Sequence, residues 1–195
     1  MKKADRSILC KSLASLGTMK HHWVNGNLPH HSVCAVCDEP CGDGPGLRDH
    51  RCCWCQTAVH TNCAPAYTAV CDLGKWKKMI VPPYCVRLKT VGWKGNRHFV
   101  VEEVLDPCIP DWSPVLVVGN RNSGNGEADV ILQSFRRILN PAQVLDLFEI
   151  SPEIGLDWCR LLKNWKCRML VAGGDGTVGW ILSTMENLKI DPAPP

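Results

Sequence analysis

The stretch HHWVNGNLPHHSVCAVCDEPCGDGPGLRDHRCCWCQTAVHTNCAPAYTAVC, residues 21–71, decides the first half of the fold. Its ligand-type residues are spaced His21-x12-Cys34-x2-Cys37-x14-Cys52-x2-Cys55-x4-His60-x2-Cys63-x7-Cys71, six cysteines and two histidines in all. That is enough for two tetrahedral metal sites. Zinc suits them because it accepts thiolate and imidazole nitrogen with no strong geometric preference of its own. A two-residue gap lets both sulfurs of a Cys-x2-Cys knuckle reach one ion. A domain this small has too little apolar core to fold unaided, and metal binding supplies the missing free energy. Spacing alone leaves open whether the ligands pair in sequence order or interleave.

Bulk composition supports a metal reading over a disulfide knot. The N-terminus has a basic start but no apolar core adequate for a signal peptide, so the protein is expected not to be secreted. In a reducing compartment, clustered cysteines are more often metal ligands than disulfides. Eight of the 13 cysteines lie between Cys34 and Cys71, a composition boundary that marks a small domain at 21–72. Cys41 and Cys53 are left over there and read as free thiols, as do Cys85, Cys108, Cys159 and Cys167. The charge, 22 basic against 19 acidic residues, is too balanced to argue for nucleic acid. No run approaches the roughly 18–20 apolar residues of a membrane span.

Beyond residue 72 the pattern changes. Residues 73–112 are punctuated by prolines and contain one strand-like alternation, His98 to Leu105, and read as a linker with local structure. From Ser113 to about residue 190 the units repeat. Val115–Val118 is a short apolar run of the kind buried in parallel sheets. A Gly/Asn-rich turn, Gly119–Gly126, precedes a helical stripe from Ala128 to Leu139, which Asn140-Pro141 ends. Val144–Ile150 reads as a second strand. Ser151-Pro152-Glu153 starts a second helix, with a cap candidate, a first-turn proline and an acid at the positive end of the dipole. Arg168–Ala172 is the third strand, Gly173–Thr177 a tight turn, and Val178 to Leu188 a third helical stripe. The expected fold class is therefore α/β: a small two-zinc finger followed by an incomplete parallel-sheet β-α-β-α-β-α nucleotide-binding subdomain. Three strands make a poor stand-alone sheet, and the chain reads as part of something larger.

The turn Gly173-Gly174-Asp175-Gly176-Thr177 joins a buried strand to a helix. Its glycines let backbone N–H groups approach an anion, and the following helix presents its positive end to the same spot. Thr177 adds a hydroxyl, and Asp175 is placed to orient a metal-bound water or a ribose. The chemistry is that of a nucleotide phosphate cradle. The Gly-x4-Gly-Lys-Ser/Thr loop is absent. Gly174-x-Gly176-x-x-Gly179 matches the dinucleotide-binding fingerprint, which is weak evidence alone.

These motifs carry a resemblance. The order of residues 21–71 resembles the phorbol-ester/diacylglycerol-type zinc finger. Gly173–Thr177 resembles the glycine-rich motif shared by diacylglycerol, sphingosine and NAD kinases. Asn120-Arg121-Asn122-Ser123-Gly124 resembles a second kinase element at Asn120, Ser123 and Gly124, and departs from it at Arg121 and Asn122. His21 to Pro29, Ile80-Val81-Pro82-Pro83 and the Leu139-Asn140-Pro141-x-Gln143-Val144 core resemble diacylglycerol kinases of the epsilon type. Cys10-Lys11 in the tail 1–20 resembles the end of a preceding finger.

The resemblance implies interleaved ligands: His21, Cys52, Cys55 and Cys71 for one zinc, and Cys34, Cys37, His60 and Cys63 for the other. Trp23, two residues after the ligand, favours His21 over its rival His22. It implies an ATP-dependent kinase, with magnesium, that makes phosphatidic acid from diacylglycerol in signalling downstream of phospholipase C. Asn120, Ser123, Gly124 and Gly173–Thr177 would flank the nucleotide. The family's general base and main magnesium-binding acids have no counterpart among these residues, so no catalytic residue is assigned and the chain is expected to be inactive or nearly so alone. The acidic loop Asp38–Arg51, with Arg48-Asp49 where lipid-binding members have Gln-Gly, argues against a lipid-inserting finger. The expected location is cytoplasmic, with the membrane surface open to the full-length protein. Two alternatives stay open: a non-catalytic zinc-finger regulatory fragment, and an NAD-kinase-like or dinucleotide-binding protein.

Overall fold

A computed structural model describes residues 18–26, 28–44, 46–92, 98–123 and 126–190. The chain divides into two compact units, Thr18–Lys77 and the chain from Lys78 onward. The N-terminal remnant at 1–17 and the tail at 191–195 lie outside the described residues.

The first unit is built from very short strands. β1 (Met19–Lys20) pairs antiparallel with β5 (Val70–Cys71). β2 (Trp23–Asn25), β3 (His50–Cys52) and β4 (Ala58–Val59) form an antiparallel sheet in that order. Its apolar core is little more than Cys34, Cys41, Ala58 and Val59, with Trp23, Leu28 and Tyr67 packed against them. Both knuckles close the same way. Asp38 follows Cys37 with φ +58° and donates its N–H to Cys34 O at 2.9 Å; Gln56 follows Cys55 with φ +66° and donates to Cys52 O at 3.0 Å. The left-handed residue turns the chain back so that the two sulfurs of each knuckle share one side.

The second unit has the expected β-α-β-α-β-α order. It follows a hairpin of β6 (Val86–Val91) and β7 (His98–Val104). The repeating part is β8 (Val115–Gly119), α1 (Glu127–Arg136), β9 (Val144–Asp146), α2 (Pro152–Leu161), β10 (Arg168–Ala172) and α3 (Asp175–Asn187). The sheet is parallel in the order β10-β8-β9, with β8 central and buried along its whole length. The core gathers Leu116, Val118, Leu145, Leu147, Trp158, Leu162 and Ile181. A side chain on Gly119 would meet Ala172 O at 3.1 Å and Leu132 Cδ2 at 3.1 Å, so glycine lets α1 lie close over the strand ends.

Five sequence expectations change. Residues 78–112 are not a linker: they include the β6–β7 hairpin, and Val81, Cys85, Val104 and Trp112 belong to the core of the second unit. Buried Gln143 holds this segment, accepting Val81 N–H at 2.6 Å and donating to Met79 O at 2.9 Å and Val115 O at 2.7 Å. Asn140 Nδ2 donates to Val81 O, and Trp112 Nε1 to Ile80 O. The second strand stops at Asp146 and does not reach Ile150, because the Glu149 and Ile150 amides turn back onto Asp146 O, each at 3.0 Å. α1 ends at Arg136, short of Asn140-Pro141, where Arg137 N–H tightens onto Ser134 O. α3 begins inside the glycine motif, at Asp175, because the Thr177 and Val178 amides already bond to Gly174 O. Ser151 does sit at the N-cap of α2, but its side chain makes no cap bond; Pro152 in the first turn fixes the helix start instead.

Candidate metal centres and phosphate cradle

The first unit brings its eight ligand-type residues into two interleaved groups: His21, Cys52, Cys55 and Cys71, and Cys34, Cys37, His60 and Cys63. Within each group the donor atoms lie within 4.8 Å of one another. Cys52 Sγ is 3.9 Å from Cys71 Sγ, and Cys63 Sγ is 4.0 Å from Cys37 Sγ. A tetrahedron with Zn–S bonds of about 2.3 Å has S···S edges of about 3.8 Å. His21 Nδ1 stands 3.4 Å from Cys55 Sγ, and His60 Nδ1 3.3 Å from Cys37 Sγ. His60 Nε2 donates to Pro40 O at 3.0 Å, which leaves Nδ1 as the free lone pair facing the sulfurs. His21 stacks on Trp23 at 4.7 Å and tilts against Tyr67, so packing orients that ring. Donor set and spacing fit zinc at both positions.

The thiols carry the electrostatic signature of sites that share charge. Cys52 is held well below the ordinary thiol range by hydrogen bonds from the Cys55 and Cys71 thiols, while Cys71 is pushed up by its hydrogen bonds with Cys52 and Cys55. Burial and the Cys34 and Cys37 sulfurs push Cys63 up to about 11. Burial works to raise Cys34, but N–H groups of His60, Val36 and Cys37 outweigh it and bring the thiol to about 6. Leftover Cys53 is exposed, and its thiol is raised to about 11 by desolvation and by Cys52.

The loop 38–51 is pinned by Asp49. Its carboxylate accepts the amides of Gly42 at 2.8 Å and Thr61 at 3.1 Å, while its own N–H reaches Thr61 Oγ1. Burial opposes ionisation, but these two amides prevail and keep the carboxyl below its usual range. The sequence flagged Asp49 as a departure at a lipid-binding position; the structure shows it knitting the loop to the His60–Thr61 segment. Asp38, Glu39 and Asp43 are exposed on the same loop.

In the second unit the two nucleotide-type turns start level. β8 and β10 are neighbours, and their last residues, Gly119 and Ala172, are register partners. Asn120 N–H then bonds to Ala172 O at 3.4 Å and Ser123 N–H to Asn120 O at 2.9 Å. Ser123 Oγ accepts the Gly174 amide and the Thr177 hydroxyl, each at 3.2 Å. Ser123, Gly174 and Thr177 therefore form one cluster at the carboxyl ends of two adjacent parallel strands, where open α/β sheets bind ligands. α3 has no side-chain cap at its N-terminus, so its first amides are open to an anion. A Cβ added to Gly174 or Gly176 would meet nothing within 4 Å, whereas one on Gly173 would strike Thr177 Oγ1 at 2.7 Å. Gly173 is thus packed, and Gly174 and Gly176 border open space. Asp175 is exposed at the helix start, and Asn120 Oδ1 accepts the Asn122 amide. Gly124 lies outside the described residues.

A family model for the phorbol-ester/diacylglycerol-binding (C1) domain matches residues 21–74, and one for the diacylglycerol kinase catalytic domain matches residues 114–194. The chain therefore carries a C1-type domain and part of a diacylglycerol kinase catalytic domain. Diacylglycerol kinase eta of Mus musculus is 39% identical over 193 residues, covering 93% of this chain and 15% of the mouse protein. Diacylglycerol kinase eta of Drosophila ananassae is 37% identical over 193 residues, covering 97% of this chain and 9% of the fly protein. The chain thus spans a minor part of these relatives' length.

Against the family's pattern, Arg121 is the unexpected residue. Its Nε lies 3.0 Å from Asp146 Oδ2, its Nη2 2.8 Å from Glu149 Oε1, and its guanidinium 4.6 Å from the Phe148 ring centre. Sequence reasoning passed over Asp146, a 3% exposed carboxylate at the end of β9. An acid closing an apolar strand was the available signal. Among the described residues no helix is long and apolar enough to cross a membrane.

Proposed function

We propose that this chain supplies the ATP-phosphate cradle of a lipid kinase that moves the γ-phosphoryl of ATP onto the free hydroxyl of diacylglycerol, giving ADP and phosphatidic acid. The observation that carries the reading is the meeting of Ser123 with Gly174 and Thr177: two turns that resemble the family's nucleotide elements close on one another. In phosphoryl transfer, positioning and charge stabilisation do most of the work. The Asp175 and Gly176 amides, at the positive end of α3, would hold phosphate oxygens, with Gly173, Gly174 and Thr177 shaping the turn around them. Asn120, Ser123 and Gly124 would flank them, and Gly173 would keep Thr177 in place. Asp175 would orient water on the magnesium that accompanies ATP.

In the same reading His21, Cys52, Cys55 and Cys71 hold one structural zinc, and Cys34, Cys37, His60 and Cys63 the other. The finger supports or positions the kinase and does not insert into lipid, because the 38–51 loop is acidic and pinned by Asp49. The signalling role downstream of phospholipase C, the cytoplasmic location and the epsilon-type assignment rest on the sequence resemblance. The isolated chain is expected to bind Mg·ATP and to phosphorylate diacylglycerol at or near background, since none of its residues is assigned as the general base or as the main magnesium-binding acids that the resemblance implies.

Calorimetric titration of the purified, zinc-loaded chain with Mg·ATP tests the cradle. Saturable binding that Thr177→Val weakens supports it; no binding to a folded chain rejects it. Robust ATP-dependent conversion of diacylglycerol by the chain alone would overturn the expectation of background activity.

A further inference from the structure

Asp146 closes β9 beside the first nucleotide turn, 3% exposed. Its Oδ1 accepts Phe148 N–H at 3.0 Å and lies 3.5 Å from Arg121 N, and its Oδ2 pairs with Arg121 Nε. A carboxylate sits poorly beside a triphosphate. In a medium of reduced dielectric, like charges a few ångströms apart repel by several kcal/mol unless a counter-charge lies between them. Arg121 is the counter-charge. Its guanidinium is held on Asp146, on Glu149 and over Phe148. A guanidinium so occupied is poorly placed to bind phosphate.

We propose that Arg121 is a positioning residue: it neutralises the buried Asp146 and fixes the Asn120–Ser123 turn, so that the phosphates of ATP can approach without Arg121 binding them itself. The inference rests on the nucleotide reading above. It gives the residue that departs from the family's pattern a role that a direct phosphate ligand would not have.

A double-mutant cycle separates the two roles. Arg121→Met leaves the buried Asp146 carboxyl without its cationic partner. Asp146→Asn removes the charge but keeps an oxygen for the Phe148 amide. Mg·ATP and adenosine are titrated against the full zinc-loaded chain in all four forms. Arg121→Met is expected to weaken Mg·ATP about tenfold or more, the scale of a modest lost interaction, with adenosine unchanged. The Arg121→Met/Asp146→Asn double variant is expected to recover most of that loss. A double variant as weak as Arg121→Met alone would show that Arg121 binds phosphate directly and would overturn the proposal. The same cycle is read without ligand as melting temperature, where the double variant should again sit above Arg121→Met; additive losses count against the proposal. A folded wild-type chain that binds no Mg·ATP would reject the nucleotide reading, and the ligand-free cycle would still decide whether Arg121 neutralises Asp146.

Discussion

The Thr177 hydroxyl donates to Ser123 Oγ across 3.2 Å, joining residues 54 positions apart in sequence. Ser123 also takes the Gly174 amide, so one side chain sets the separation of the two turns. Both bonds are partly exposed, and an exposed neutral bond contributes about 1 kcal/mol or less. Ser123→Ala should therefore lower the melting temperature by only a few degrees. It should weaken Mg·ATP by about tenfold, because the cradle loses its register. A variant that melts like wild type and binds ATP equally well would remove Ser123 from the site.

Gly176 offers a cleaner separation of stability from binding. It sits in the first turn of α3, with nothing within 4 Å of an added Cβ. Alanine is the better helix former by up to about 1 kcal/mol, so Gly176→Ala should leave melting unchanged or raised. The added methyl would occupy the space over the helix amides that a phosphate oxygen needs, and Mg·ATP affinity should fall. Gly173→Ala behaves differently: its Cβ strikes Thr177, and the apo protein itself should be destabilised.

Gln143 is fully buried and satisfies three backbone groups, on Val81, Met79 and Val115. Leucine has similar volume but offers no partner. Each stranded buried group costs about 1–3 kcal/mol, so Gln143→Leu should cost about 3 kcal/mol or more in denaturant unfolding. The loss should appear in the transition of the second unit.

These bonds mark where the sequence is legible. The two Cys-x2-Cys knuckles and the β8–α1–β9–α2–β10–α3 order are written in local spacing, and local geometry realises them. The segment 78–112 is not legible, because its prolines look like a linker. What folds it is the amide of Gln143, 62 positions from Val81. The end of β9 is hidden likewise: Leu147 and Ile150 are apolar like strand residues, yet the chain turns on Asp146 O. The glycine motif was visible, and so was the Asn-x-x-Ser element. Their meeting depends on β10 lying beside β8, which no periodicity specifies.

Metal removal should act on the first unit. The buried apolar residues of this unit are few, and many of them are its ligand cysteines; without metal they cannot hold strands of two and three residues, so chelation should unfold residues 18–77, seen as lost order around Trp23 and Trp54. The hydrogen-bonded core around Gln143 should persist. The pH dependence has a definite sign. Zinc needs thiolates, and Cys63, at about 11 when metal-free, must give up its proton on binding. Zinc affinity should therefore weaken as pH falls, and metal uptake at neutral pH should release protons measurable in weakly buffered solution. Uptake without proton release would contradict this assignment of ligands.

The finger's relation to lipid is the last point the geometry bears on. Leu47 is the large aliphatic residue of the 38–51 loop, and it lies over Gly26, whose added Cβ would meet Leu47 Cδ2 at 2.7 Å. The same loop carries exposed Asp38, Glu39 and Asp43, and Asp49 is tied to Gly42 and Thr61. Inserting such a tip brings carboxylates against an anionic surface, at a cost set by the local potential. The zinc-loaded chain should fail to pellet with phosphatidylserine vesicles, with or without a few per cent of diacylglycerol. Neutralising the tip as Asp38→Asn/Glu39→Gln/Asp43→Asn should raise pelleting modestly and without dependence on diacylglycerol, since charge and not a lipid pocket is what changes. Strong pelleting of the unaltered chain that requires diacylglycerol would show that the acidic loop does insert.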